Sequence, residues 1–522
     1  MSLEKIKQDR LKKLTNLQSF DIDAYPGKGL AGRILIKEVL ENFADFEQVK
    51  REVVLAGRLR ALRLHGALAF ATLQDVSGSF QLFFQKDKLG EEMYSLFSDN
   101  LDMGDFIEAV GELFITQKGE KTLLVKKFKI LSKALNQLPD KWHGLSDTEE
   151  RFRRRYLDIL MNEEVRRRFE NRSEIIKNIR KFLEMRDFLE VETPILQALP
   201  GGALARPFKT HLNALDMDLY LRVAPELYLK RLLVAGFEKV YELGRCFRNE
   251  GMDKAHNPDF TELEFYWAYA DYEQLMELTE EMFEFLVPEL EFEYQAHKID
   301  LIAPFKRVTM SDLLMEHYKI DIAQITKEEM IKVLAGAGEK VDPEMPLCKM
   351  IDELFKTLRP KIIQPTFVMN HPIEMSPLAK ASPENKNEAA RFQLLIGGME
   401  LVNAYSELND PQDQASRMKM QERHSKDEEI QRFDQDYIEA LEYGMPPAAG
   451  WGIGIDRLVM LLTNVASLRE VILFPAMRDR KEGKEEKVLK VPLPEESLPE
   501  VPKPEEVSEK KNSPELSSEN IK

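Results

Sequence analysis

The stretch 244–266, GRCFRNEGMDKAHNPDFTELEFY, restricts the fold of this chain more than any other part of it. Two alternating runs, 241–250 and 260–269, flank a polar loop, 251–259, that is too long for a tight hairpin. Side chains on a strand alternate between its faces, so Arg248 and Glu250 share one face of the first run. The second run puts Phe260, Glu262, Glu264 and Tyr266 on one face and Leu263, Phe265 and Trp267 on the other. The loop adds Lys254, His256 and Asn257. An arginine, several carboxylates and an aromatic ring on one sheet face suit an anionic nucleotide beside an amine-bearing substrate. Charged residues on one face of a hairpin also commonly just meet water, and alternation alone does not separate the two readings.

With 522 residues the chain has room for two or three domains. No apolar run reaches the ~18 residues that a membrane span needs, so no membrane partner is expected. The start, MSLEKIKQDRLKKLTNL, lacks an apolar core and a cleavage site and reads as a charged amphipathic helix. Cys246 and Cys348 are the only cysteines, too few for a disulfide framework or a thiolate zinc site, and a cytoplasmic protein is the default reading. A net charge of −17 argues against general adhesion to nucleic acid. The tail from 481 holds 8 Lys and 11 Glu, so most of the acidity belongs to the folded body. Any RNA contact is therefore local and salt-sensitive.

Taken in order, residues 1–50 read as a charged helical segment. Residues 51–133 change to short alternating runs with one helix-like interruption at 90–101, the texture of a five-stranded OB-type barrel. A connector, 134–160, carries Lys141 and the basic run 151–155. The larger domain, 161–480, has an α+β pattern. It opens with Val165, Phe169, Ile176, Ile179 and Leu183 at helical spacing, followed by a strand at 188–195. In PGGALARPFKTH, Gly202 permits close backbone approach to a ligand. LYLRVAPELYLKRLL reads as a strand turning into a helix at Pro225, with Glu226 in a first turn where the dipole favours its charge. That alone accounts for Glu226, so a substrate role is a second reading. Residues 271–395 read as a mostly helical insertion without chemistry of its own. A strand in GGMELVNAYSELNDP aligns Asn403, Tyr405 and Glu407, and GWGIGIDRLVMLLTN is a Gly-rich strand feeding a helix with Arg457 in its opening turns. The tail, 481–522, is too poor in apolar residues to build a core and is expected to be disordered.

FRNEG, HNPDF and ELEFY, in that order, resemble motif 2 of the class II aminoacyl-tRNA synthetases. The helix and strand before them resemble motif 1, and GIGIDR resembles motif 3. PGGA, APELYLK and ELVNAYSELND are similar to the pocket of bacterial-type lysyl-tRNA synthetases, and the likeness runs from about 53 to 480. It implies an OB-fold anticodon domain before a catalytic domain built on an antiparallel sheet. It also implies L-lysine, ATP with Mg2+, and tRNA(Lys) as substrates and partners, and a homodimer formed through 165–196.

The resemblance further implies residue roles. Glu226, Glu407 and Tyr266 hold the lysine side-chain ammonium, Glu264 and Gly202 the α-amino end, and Asn403 and Tyr405 complete that pocket. Arg248 joins the α-phosphate to the lysine carboxylate. Arg457 clamps the γ-phosphate and covers one adenine face, with Phe260 on the other. Glu250 accepts from the adenine amino group, while His256 and Asn257 serve the phosphate side. Glu400 and Glu407 are the implied magnesium ligands. Being an odd number apart they point to opposite faces of a regular strand, so a bulge near 401–403 is expected. On the barrel, Phe70 stacks a uracil while Gln81 and Glu120 read base edges. Ala255, Asp259, Ala404 and Trp451 depart from the family's usual arginine, glutamate, glycine and smaller residue. Two rival readings use the same fold, a non-enzymatic RNA-binding paralogue and an enzyme that lysylates protein. Retention of Arg248 and Arg457 disfavours the first, and the barrel disfavours the second.

Overall fold

The computed structural model describes residues 2–139, 147–424 and 433–479. Lys141 and the tail from 481 lie outside them. After the helix α1 (Leu3–Ser19) the chain enters a closed barrel of β1 (Glu52–His65), β2 (Leu68–Gln74), β3 (Ser79–Gln85), β4 (Phe106–Ile115) and β5 (Lys121–Ser132), in the order β1-β2-β3-β5-β4. The expected interruption is the helix α2 (Glu91–Asn100). Alternation decides what each strand buries: Ala69, Ala71, Leu82 and Phe84 face the core, so their neighbours Phe70 and Phe83 face outward.

The larger region is an eight-stranded sheet. Its strands are β6 (Leu189–Glu190), β7 (Lys239–Phe247), β8 (Asp259–Ala268), β9 (Lys306–Thr309), β10 (Thr366–Met369), β11 (Arg391–Ile396), β12 (Met399–Ser406) and β13 (Ala448–Gly454). They run β9-β10-β11-β12-β13-β8-β7-β6, antiparallel except for the two edge pairs. Helices α3 (Glu163–Glu184), α4 (Glu226–Val234), α5 (Tyr272–Leu286) and α6 (Ile455–Leu462) accompany this sheet. On β8, Leu263 and Phe265 enter the main core, and the Phe265 ring stacks on Trp451 at 4.8 Å. The bulkier Trp451 is thus a core residue, its indole N–H donating to Thr279 Oγ1 at 2.8 Å.

Three expectations need correction. The strand expected over 241–250 stops at Phe247, because Pro258 opposite Arg248 has no N–H to return a bond. Arg248 N still donates to Pro258 O at 2.9 Å, and Asn249 N then turns to Arg206 O. The strand expected at 188–195 shrinks to β6, since Thr193 N and its hydroxyl bond the Glu242 carboxylate instead of a ladder. The interval 271–395 is not only a helical insertion: it supplies β9, β10 and β11 to the sheet. At four to six residues they are too short for periodicity to separate strand from buried helix, and Lys306–Thr309 is not even apolar.

Candidate active site

A pocket of about 420 Å³ opens on the face of the sheet that carries the β8 carboxylates. Ten of the expected residues line it: Gly202, Arg248, Glu250, His256, Asn257, Phe260, Glu400, Asn403, Tyr405 and Arg457. At one end the Arg248 guanidinium lies 4.8 Å over the Phe260 ring. Arg457, third residue of α6, donates from Nη1 to Glu400 O at 3.0 Å and from Nη2 to His256 Nε2 at 3.1 Å. His256 Nδ1 in turn sits 2.9 Å from Asp253, and Lys254 O accepts from Leu468 N, so the long loop is folded against the rest of the site. The start of α6 is fixed by Asp456, buried at 2% exposure, which accepts from Thr261 N on β8 and from Arg172 on α3.

Glu226, Glu264, Tyr266 and Glu407 form a buried group behind Tyr405. The Tyr405 hydroxyl donates to Glu226 Oε1 at 2.6 Å, and Tyr266 donates to Glu264 at 2.9 Å. At its centre is a residue that sequence reasoning left without a role. Lys230, fully buried, places Nζ 2.5 Å from Glu226 Oε1 and 2.5 Å from Glu407 Oε2. Burial disfavours its charge, but the two carboxylates outweigh burial and hold its pKa well above the ordinary lysine value. Burial pushes Glu407 up to about 8 against the pull of Lys230, with Glu226 adding to the rise. Glu407 Oε1 is buried without a hydrogen-bond donor among the described residues. One resident ammonium thus serves two carboxylates, and one Glu407 oxygen is left without a donor. Two glycines are obligatory here. Gly202 has φ +89° and a Cβ added to it would lie 2.9 Å from Glu226 Cβ, while one on Gly450 would meet Glu407 Oε1 and Tyr266.

The break expected near 401–403 is present. Leu394 pairs with Val402 but Leu395 with Glu400, leaving Leu401 as the extra residue of a bulge that puts Glu400 on the wall with Asn403 and Tyr405. The implied magnesium pair is nevertheless not assembled. Glu400 is bound by Arg359 at 2.9 Å, whereas Glu407 is bound by Lys230 and lies off the pocket wall. Among the described residues no group of three or more His, Cys, Asp or Glu is placed to hold a metal ion. Among the other residues on the pocket wall that had no expected role are Glu262 on β8 and Arg391 on β11, whose Nε donates to Asn403 Oδ1 at 2.8 Å. On the barrel the Phe70 ring stacks on Phe83 at 4.8 Å, with Phe114 a further 5.9 Å along. Gln81 donates to Thr122 Oγ1 at 2.9 Å, and Glu120 is exposed at the start of β5.

A mostly antiparallel sheet with such a pocket, behind an OB barrel, defines a class II aminoacyl-tRNA synthetase. Accordingly, residues 147–478 match the tRNA synthetases class II (D, K and N), and residues 53–131 match the OB-fold nucleic acid binding domain. The lysine–tRNA ligase of Pelotomaculum thermopropionicum is 49% identical over 489 residues, covering 92% of this chain and 96% of that one. The lysine–tRNA ligase of Carboxydothermus hydrogenoformans is 49% identical over 488 residues (92% and 99%), and that of Roseiflexus castenholzii 47% over 490 (92% and 100%). The chain belongs to the class II lysyl-tRNA synthetases, the lysine–tRNA ligases.

Proposed function

We propose that the pocket joins L-lysine to ATP and passes the lysyl group to a terminal ribose hydroxyl of tRNA(Lys). In the first step a lysine carboxylate oxygen attacks the α-phosphorus and pyrophosphate leaves. In the second the ribose hydroxyl attacks the lysyl carbonyl carbon and AMP leaves. Neither step uses a protein nucleophile, so positioning and charge neutralisation carry the catalysis. The observation that supports lysine most directly is the buried Glu226–Lys230–Glu407 group with its unfilled acceptor at Glu407. An ammonium there combines hydrogen bonds with neutralisation of the carboxylate charge, which a carboxylate or amide side chain does not. Arg248 is assigned the α-phosphate and lysine carboxylate, Phe260 and Arg457 the two adenine faces, Arg457 and His256 with Asn257 the outer phosphates, and Glu250 the adenine amino group. Glu264 and Gly202 are assigned the α-amino end. Magnesium enters as the counter-ion that ATP carries; Glu400 is the implied ligand on the pocket wall and would exchange its Arg359 ion pair to hold it, whereas Glu407 is paired with Lys230 away from that wall.

Phe70, outward on its strand and stacked on Phe83, supports the anticodon reading together with Gln81 and Glu120. Pyrophosphate exchange without tRNA should depend on lysine rather than aspartate or asparagine and be unaltered by Phe70→Ala. The same variant should lower charging of tRNA(Lys) by roughly 5- to 150-fold, the worth of ~1–3 kcal/mol of base stacking. Exchange that prefers aspartate or asparagine refutes the lysine assignment, and a joint fall in exchange and Tm makes Phe70 a structural residue.

Homodimerisation is proposed through 165–196. Met185, Leu189, Ile195 and Leu196 within that segment are 62, 48, 44 and 46% exposed, an apolar surface that a partner would cover. Sedimentation should show a dimer at micromolar concentration that dissociates on replacing Ile195 and Leu196 with aspartate; a fully active monomer contradicts this.

A further inference from the structure

Glu400 already has a cation, and it comes from the interval 271–395, to which sequence reasoning gave no chemistry. Arg359 opens a short 3-10 turn, Arg359–Lys361, directly after the helix Leu347–Leu358. The tight turn between β11 and β12 fastens this segment to the sheet. Gly397 N donates to Ile363 O at 2.8 Å, and Gly398 N to Ile362 O at 2.9 Å. Gly398, at φ +78°, lies so close that an added Cβ would be 3.1 Å from Pro360 Cα. The fastening brings the Arg359 guanidinium to two carboxylates at once. Its Nη1 is 2.9 Å from Glu400 Oε2, and its Nη2 is 3.6 Å from Asp352 Oδ1 on the preceding helix. The guanidinium also lies 5.0 Å over the Phe355 ring, and its Nε is buried without an acceptor among the described residues. Glu400 lines the pocket and Arg359 does not, so the carboxylate has an arginine behind it and open space in front.

We infer that Arg359 is the resident counter-ion of Glu400, keeping that carboxylate closed to free divalent cations and yielding it only to magnesium that arrives on ATP. This role rests on the proposed assignment of Glu400 to magnesium. A carboxylate beside a guanidinium has its charge already compensated. A free Mg2+ would have to break that ion pair and shed water, all for a single protein oxygen. Magnesium carried by ATP has phosphate oxygens around it and asks fewer ligands of the protein. When Glu400 turns to the ion, the guanidinium keeps Asp352 and the Phe355 face, so its charge is not left unpaired. Metal and nucleotide therefore enter together, and the empty pocket stays metal-free.

The full chain without nucleotide, titrated with Mn2+ and followed by electron paramagnetic resonance, tests this directly. Arg359→Met should bind Mn2+ about 10-fold more tightly than the wild type, because Glu400 and Asp352 lose the cation they share. Adding Glu400→Gln to that variant should abolish the gain. Equal Mn2+ binding by wild type and Arg359→Met, or a gain that survives Glu400→Gln, overturns the inference. A second variant leaves Arg359 in place and changes only a half-buried helix residue. Asp352→Asn removes the partner to which the guanidinium retreats, so the dissociation constant of Mg–ATP, measured by calorimetry, should rise about 3- to 10-fold with the KM for lysine unchanged. Unaltered Mg–ATP affinity in Asp352→Asn also overturns the inference. Failure of the underlying magnesium assignment has a separate signature, Mg–ATP binding that Glu400→Gln alone does not weaken.

Discussion

Arg248→Ala should lower lysine-dependent pyrophosphate exchange by roughly 100- to 1,000-fold, the cost of deleting one preorganised group that meets charge developing in the transition state. The reaction brings two anions together, the lysine carboxylate and the α-phosphate, and on the proposed assignment the Arg248 guanidinium between them counters their repulsion. The side chain is prepared for this before ligands arrive: it lies over the Phe260 ring, and its Nε makes no hydrogen bond to another described residue. Binding of tRNA(Lys) in the absence of ATP and lysine should remain near wild type, because the anticodon surface lies on the barrel. Arg248→Lys should rescue little, since an ammonium does not span two oxyanions as a planar fork does. Near-normal exchange in Arg248→Ala, or parallel loss of exchange and tRNA binding, contradicts the assignment.

Alternation along 260–268 made the pocket face of β8 legible in the sequence, because strand periodicity is strict wherever one face is core, here through Leu263 and Phe265. The odd spacing of Glu400 and Glu407 likewise announced a bulge, found at Leu401. Lys230 was not legible. It lies four residues after Glu226 on α4, a spacing that ordinarily marks a solvated helix pair, and only the approach of Glu407 from another strand makes it central. Glu262 was visible on the right face, but not that its acceptor oxygen would go unused. Arg391 stood inside an interval that looked helical. Both Arg391 and the short strands β9 and β10 depend on tertiary pairing that no local pattern encodes.

Lys230→Met should destabilise the protein by about 3–5 kcal/mol, the cost of removing one partner from a buried ion pair. The ammonium is fully buried between Glu226 and Glu407, and both carboxylates are nearly sealed from water, so solvent cannot replace the lost charge. The unmutated group carries a pH signature of its own. Glu407 is raised from the ordinary carboxylate range to about 8, so the folded, ligand-free protein binds a proton there that the unfolded chain has released. Stability from this group is therefore present at low pH and lost as pH rises through about 8. On the proposed assignment, lysine brings a second ammonium to the orphaned Glu407 oxygen and favours the ionised form. Its binding should release a proton, seen by calorimetry in buffers of different ionisation enthalpy, and the rise in Tm that lysine produces should grow between pH 6 and about 8. A lysine-induced Tm rise that is flat with pH, together with an unchanged Tm in Lys230→Met, means that this cluster neither holds the fold together nor receives the substrate ammonium.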